Sequence, residues 1–279
     1  MDDVKKTIEA KDYAEPRCPL SGETYGSHPE YIPVPQMRII DKMNEYMSRR
    51  DYEGAERHLN YWLREALLGM DQRGELMIRG ELIGHYRKTG NREAALKEVD
   101  EVLRLLREMN YEKSLSAGTA YVNAATACNA FGENERSLEL FEKARSVYES
   151  SSRTDPELLG GLYNNMGLLY TSLSRYDDAF RLYDLAMEMM RKCPGGELEM
   201  AITCLNRADA LSAKYGTEAA EKDIYDLLDK ALDLLKNTEA PKDGYYAFVL
   251  EKCAPTFKYY GYFTDAEELK QEAEQIYKG

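Results

Sequence analysis

Residues 160–193 read GGLYNNMGLLYTSLSRYDDAFRLYDLAMEMMRKC. Tyr163, Met166, Gly167 and Tyr170 recur at steps of one, three and four residues, and Ala179, Tyr183 and Ala186 repeat the pattern further on. Each set marks one apolar face of an α-helix. The polar break around Ser174 separates the two, so the stretch predicts a pair of helices joined by a short turn.

Sliding this unit forty-two residues towards the N-terminus recovers much of it. Gly90, Gly132, Ser174 and Gly216 are spaced by that interval, each between two apolar-periodic stretches. A glycine or other permissive residue is favoured there because a helix commonly ends in left-handed backbone. Arg50 lies forty residues before the series and Gly261 forty-five after it, the longer interval absorbing the loop KNTEAPKDG at 236–244. Six helix–turn–helix units follow, at about 36–70, 72–110, 112–150, 155–192, 196–237 and 241–278. A fixed period in this range predicts an all-α architecture, a right-handed α-solenoid of about six stacked repeats.

Small residues explain the stacking. Gly167 and Ala179 let their helices approach neighbours, and Tyr170 and Tyr183 fill the space beside them. The third unit repeats the scheme with Ala125, Cys128, Ser137, Phe141 and Ala144, and the second with Tyr86, Ala95 and Val99. In the fifth, Ala208, Leu211, Ala220 and Ile224 keep the spacing, shifted by one residue. The last helix sets Ala266, Leu269, Ala273 and Ile276 on one stripe among polar residues, as the end of a stack requires.

The order aromatic, Met-Gly, Tyr, Ala, aromatic, Ala at 163–186 resembles the tetratricopeptide repeat family. The forty-two-residue period resembles the longer repeats of the kinesin light-chain type. The resemblance spans residues 36–278, and Ile83 and Met43 depart from it where the family has a small residue.

Residues 1–35 differ from the repeats. Asp2 to Ala14 suits a short helix, and EPRCPLSGETYGSHPEYIPVPQ then places five prolines and two glycines in twenty-two residues. Each proline pushes the residue before it towards extended backbone, so this is an arm that docks on the body or waits for a partner. Two domains are therefore expected, the arm at 1–35 and the repeats at 36–279.

Fifty acidic against thirty-seven basic side chains give a net charge of −13. Such a surface repels phosphate backbones and anionic bilayers, so neither nucleic acid nor membrane is expected as a partner. No eighteen apolar residues run together, and the N-terminus lacks the apolar segment of a secretory signal. The five cysteines form no C-x-x-C pair, and three sit within helical patterns as small buried hydrophobes; a reducing cytoplasm is the expected setting.

Catalytic patterns are thin. His28, His58 and His85 lie near no nucleophile, and His58 and His85 have charged sequence neighbours that mark them as surface or groove residues. Cys18 and His28 share the arm, but two ligands do not make a zinc site. The Gly160-Gly161 and Gly195-Gly196 pairs lack the spacing of a phosphate loop. The chain is expected to be no enzyme and to carry no cofactor.

Asn123, Asn165 and Asn206 stand in the first helices of three consecutive units, forty-two and forty-one residues apart. Asparagine is mildly unfavourable inside a helix, so three in register call for a cause. The resemblance implies one, since in the family the first helices line a concave surface where such asparagines grip the main chain of a bound peptide. An amide has both donor and acceptor and serves a backbone without reading its side chains. At about 8–10 Å between helices the three span about 20 Å, some six extended residues at about 3.3 Å each. Thr126, Asn129, Leu168, Thr171, Asp209 and Ser212 would line the same face, with Arg87 and Lys258 towards its ends. Two other readings stand beside the grip: the amides bond across neighbouring helices, or they face water in a groove that holds nothing.

The function expected is therefore that of a protein- or peptide-binding scaffold. The alternative is a regulator whose groove holds its own or a neighbour's arm. Self-association through the flanks of the stack is open.

Overall fold

The computed structural model describes residues 32–278, so the helix expected at Asp2–Ala14 and nearly all of the arm lie outside the described residues. Among the described residues there are twelve α-helices and no strand. They are α1 (Gln36–Ser48), α2 (Tyr52–Leu68), α3 (Gln72–Thr89), α4 (Arg92–Glu108), α5 (Leu115–Ala130) and α6 (Asn134–Ser150), followed by α7 (Pro156–Ser172), α8 (Tyr176–Met190), α9 (Glu197–Tyr215), α10 (Glu221–Lys236), α11 (Gly244–Tyr259) and α12 (Phe263–Lys278). The chain is an all-α solenoid of six helix–turn–helix repeats, with boundaries within a few residues of those the periodicity sets.

The six breaks have one physical property in common. Arg50, Gly90, Gly132, Ser174, Gly216 and Gly261 all have positive φ, at 55°, 75°, 78°, 58°, 84° and 93°. Four are glycine because only glycine enters that region at no steric cost. Four of the six first helices, α3, α5, α7 and α11, begin at polar caps. Asp71, Ser114 and Asp155 accept backbone N–H groups of Gly74, Ala117 and Glu157 at 3.0 Å each, and Asp243 accepts those of Tyr245 and Tyr246 at 2.9 and 3.1 Å. Each satisfies donors that the first turn leaves open.

The helices group into two compact units, up to Leu105 and from Leu106 onward. In the first unit the segment entering α1 is fastened to the turn between α2 and α3. Ile32 N–H donates to the Gly69 carbonyl at 2.9 Å, and Val34 N–H donates to the Asp71 carboxylate at 2.9 Å. Gly74 is small because a Cβ there would come within 2.4 Å of Val34 Cγ2. Trp62, Leu59, Ile78 and Leu82 fill this unit's interior. His58 and His85 belong to that interior as well. Both are only 3 % exposed, which corrects the expectation of surface positions. His58 falls in the stripe of Ala55, Leu59 and Trp62, and its Nε2 pairs with the Ile39 carbonyl at 3.1 Å. The charged residues beside them in sequence, Arg57 next to His58 and Arg87 and Lys88 after His85, are exposed.

In the second unit each first helix packs on its own second helix, and α6 and α8 pack in turn on α7 and α9. The first helices α5, α7, α9 and α11 also touch one another in sequence, forming one layer. Gly167 sits at a close approach between helices: a Cβ there would come within 2.4 Å of the Tyr183 ring, which is fully buried. Ala179, Phe141, Tyr148 and Phe257 are buried around the same seams. Cys128, Cys204 and Cys253 are buried thiols, as their helical spacing predicts.

Candidate functional site

The layer of first helices in the second unit presents one continuous face. α5 contributes no charged residue to it and α7 only Glu157, whereas α9 and α11 contribute several. Asn123 on α5 is exposed and Asn165 on α7 half-buried, and neither amide has a hydrogen-bond partner among the described residues. Leu158, Gly161 and Leu168 stand within a turn or two of Asn165 on the same helix, so the surroundings of these amides are small, neutral or apolar.

Asn206 is placed differently. Its Nδ2 donates at 3.0 Å to Oδ1 of Asn164, which is itself 4 % exposed. Thr203 donates to the same oxygen at 3.2 Å, so Asn164 ties α7 to α9. Here the bond across neighbouring helices is the one the structure shows. Asn164 escaped the sequence reading although the Asn164-Asn165 doublet marks it and it lies forty-two residues before Asn206.

The remaining lining candidates divide in the same way. Thr171 donates to the Gly167 carbonyl at 2.9 Å and lies 3.1 Å from the Tyr183 hydroxyl, so its oxygen is used within its own repeat. The Thr126 hydroxyl donates back to the Val122 carbonyl at 2.7 Å, leaving its methyl group free. Asn129 and Leu168 are half-buried. Asp209 accepts from the Tyr260 hydroxyl at 3.0 Å, joining α9 to α11; burial raises its pKa, and the hydrogen bond opposes that shift. Arg87 is exposed on α3, in the first unit.

Aromatic residues that the periodicity did not single out complete the face on α11. Tyr245 and Phe248 stack with ring centroids 6.3 Å apart and are 49 % and 40 % exposed. The Tyr245 hydroxyl donates to the Glu199 carboxylate on α9, and burial together with that charge pushes the phenol well above its usual range. Their signal was available: Lys252 occupies the asparagine position of this repeat, and Tyr245 and Phe248 precede it by seven and four residues, one helical face.

Among the described residues no three His, Cys, Asp or Glu side chains come together as a metal site would need. Among the same residues no helix is long and apolar enough to cross a membrane.

No protein-family model matches the chain, and no curated protein matches it. Solved structures do. BtubC (BKLC) from P. vanneervenii superposes with a TM-score of 0.60 at 19% identity, over 74% of this chain and 82% of that one. A putative kinesin light chain with TPR-like repeats from Podosopora anserina gives 0.48 at 16% identity, over 71% and 92%. A tetratricopeptide repeat protein from Parabacteroides merdae gives 0.41 at 19%, over 86% and 98%. At these identities the likeness concerns fold alone, and the superposition on BtubC shows that this chain shares that protein's fold.

Proposed function

We propose that this protein is a non-enzymatic scaffold that holds an extended segment of another protein on the first-helix face of its second unit. The observation that carries this reading is the pair Asn123 and Asn165, two amides without a protein partner, one repeat apart on helices that carry almost no charge. A neutral, small-residue surface allows a main chain to approach, and each amide can accept a backbone N–H and donate to a backbone C=O. The stacked Tyr245 and Phe248 on α11 add an apolar anchor at the other edge of the layer. Asn206 lends its donor to Asn164 and serves to align α7 with α9. The buried thiols suit a reducing cytoplasm, and the surplus of acidic groups disfavours nucleic acid.

The test is selection of a random peptide library against the purified protein, followed by binding of the selected peptides to Asn123→Ala/Asn165→Ala. Loss of the two amides, at about 1 kcal/mol net for each, weakens capture by about thirtyfold. Peptides that bind the double variant as tightly as the parent would sink the reading.

The regulatory alternative has one observation of its own, the fastening of Ile32 and Val34 beside α2 and α3. Under it, removing residues 1–31 raises affinity for the selected peptides; unchanged affinity counts against it.

A further inference from the structure

On the second-helix side of the same unit, α8, α9 and α10 enclose a cleft of about 320 Å³. Arg191, Arg207 and Lys230 line it, one from each helix's reach, and Asp184 is its single acidic residue; Met187 and Cys204 are among the apolar groups beside them. The local charge is therefore reversed in a chain whose net charge is −13.

The way these cations are held shows what they face. Arg207 is fixed by an ion pair to Asp184, with its guanidinium carbon 5.7 Å from the centre of the Phe180 ring. Arg191 has no acidic partner within 4 Å among the described residues, and the nearby Glu188 pairs with Lys192 instead, at 3.0 Å. Lys230 has none either, although Asp226 stands four residues before it, where an ion pair along α10 is easily made. The other basic residues in or next to α8 and α9 are paired: Arg175 and Arg181 with Asp178, Lys192 with Glu188, and Lys214 with Asp177. Activation of a thiolate is not what gathers them, because burial raises the Cys204 thiol above its ordinary range despite all three cations.

We propose that this cleft binds a phosphate group, presented as the phosphate monoester of a modified serine on a partner protein. Two guanidinium or ammonium groups without partners and a third held in place match a compact dianion with several acceptor oxygens. The volume admits the phosphate and the side chain that carries it, with Met187 and Leu227 beside the stem. The site is separate from the amide face, so it stands or falls independently of Asn123 and Asn165.

The experiment measures binding of N-acetyl-O-phosphoserine amide, N-acetylserine amide, N-acetylglutamate amide and inorganic phosphate to the full chain by calorimetry, at about 10 mM ionic strength where screening is weak. The phosphoserine derivative binds, the serine derivative does not, and Arg191→Ala/Lys230→Ala weakens the phosphoserine complex at least about tenfold. Both side chains are exposed, so the variant keeps its circular dichroism and melting temperature. Lys270→Ala, which removes an exposed charge on α12, leaves binding unchanged. Inorganic phosphate binding as tightly as the ester supports the phosphate site and assigns the free ion as its source. Absence of binding by either phosphate, equal binding of the glutamate derivative, or the same loss in Lys270→Ala overturns the proposal.

Discussion

Gly161 and Gly167 lie six residues apart on α7 and predict opposite outcomes for the same substitution. At Gly167 an added methyl group meets the Tyr183 ring at 2.4 Å, and that ring is enclosed on all sides. Gly167→Ala therefore overpacks the seam and costs about 1–3 kcal/mol, more than alanine's higher helix propensity returns. At Gly161 nothing lies within 4 Å of the added Cβ. Gly161→Ala gains about 0.5–1 kcal/mol from the reduced freedom of the unfolded chain. Urea titrations of the two variants check both signs, and a gain at Gly167 would refute the close approach. Gly167 could be read from sequence because it falls in the repeat. Asn164 could not be assigned its role in the same way, since a doublet of asparagines does not show which amide turns inward. The hidden quantity at single residues is orientation about the helix axis, to within one position.

At the scale of elements, turns and helix pairs were legible and the charges buried between helices were not. The breaks at forty-two residues state the conformation they need, and the structure gives each a positive φ. Nothing in the pattern of α3 and α4 separates Glu75, Arg79 and Glu98 from the many solvated charges around them. In the structure Arg79 lies between the two helices, with Nε 2.8 Å from Glu75 and Nη1 2.5 Å from Glu98, and all three side chains are about one-tenth exposed. Its guanidinium is held above its usual pKa by these two carboxylates, which outweigh the opposing, largest single influence of burial. Arg79→Ala leaves Glu98 enclosed without its cation and Glu75 with only the Arg104 guanidinium, 3.9 Å away, and breaking such a buried pair costs about 3–5 kcal/mol. Chemical denaturation followed through Trp62 in the same unit reads the loss. A change under about 1 kcal/mol would mean that water reaches the carboxylates.

For the molecule as a whole, the sequence shows how many repeats there are but not that they form two units. The period is continuous through α4, and where cohesion divides depends on which side chains meet there. One consequence is a difference in response to acid. The described histidines, His58 and His85, both belong to the first unit, and the second contains none. Burial lowers the pKa of both; the Ile39 carbonyl opposes the shift at His58, and the Glu56 carboxylate opposes it at His85. A histidine with a depressed folded pKa keeps its full contribution above the unfolded value of about 6.5. As pH falls through that value the unfolded chain takes up protons that the folded one refuses, and stability declines until the folded pKa is passed. Trp62, the sole tryptophan, is buried in the first unit, so its fluorescence reports that unit while far-ultraviolet circular dichroism reports both. Between pH 7.5 and 5.5 the fluorescence transition in urea moves to lower denaturant. His58→Gln/His85→Gln, weaker at every pH, loses most of that dependence. A midpoint unchanged by pH in the parent, or a shift of the same size in the double variant, would remove the two histidines as its cause.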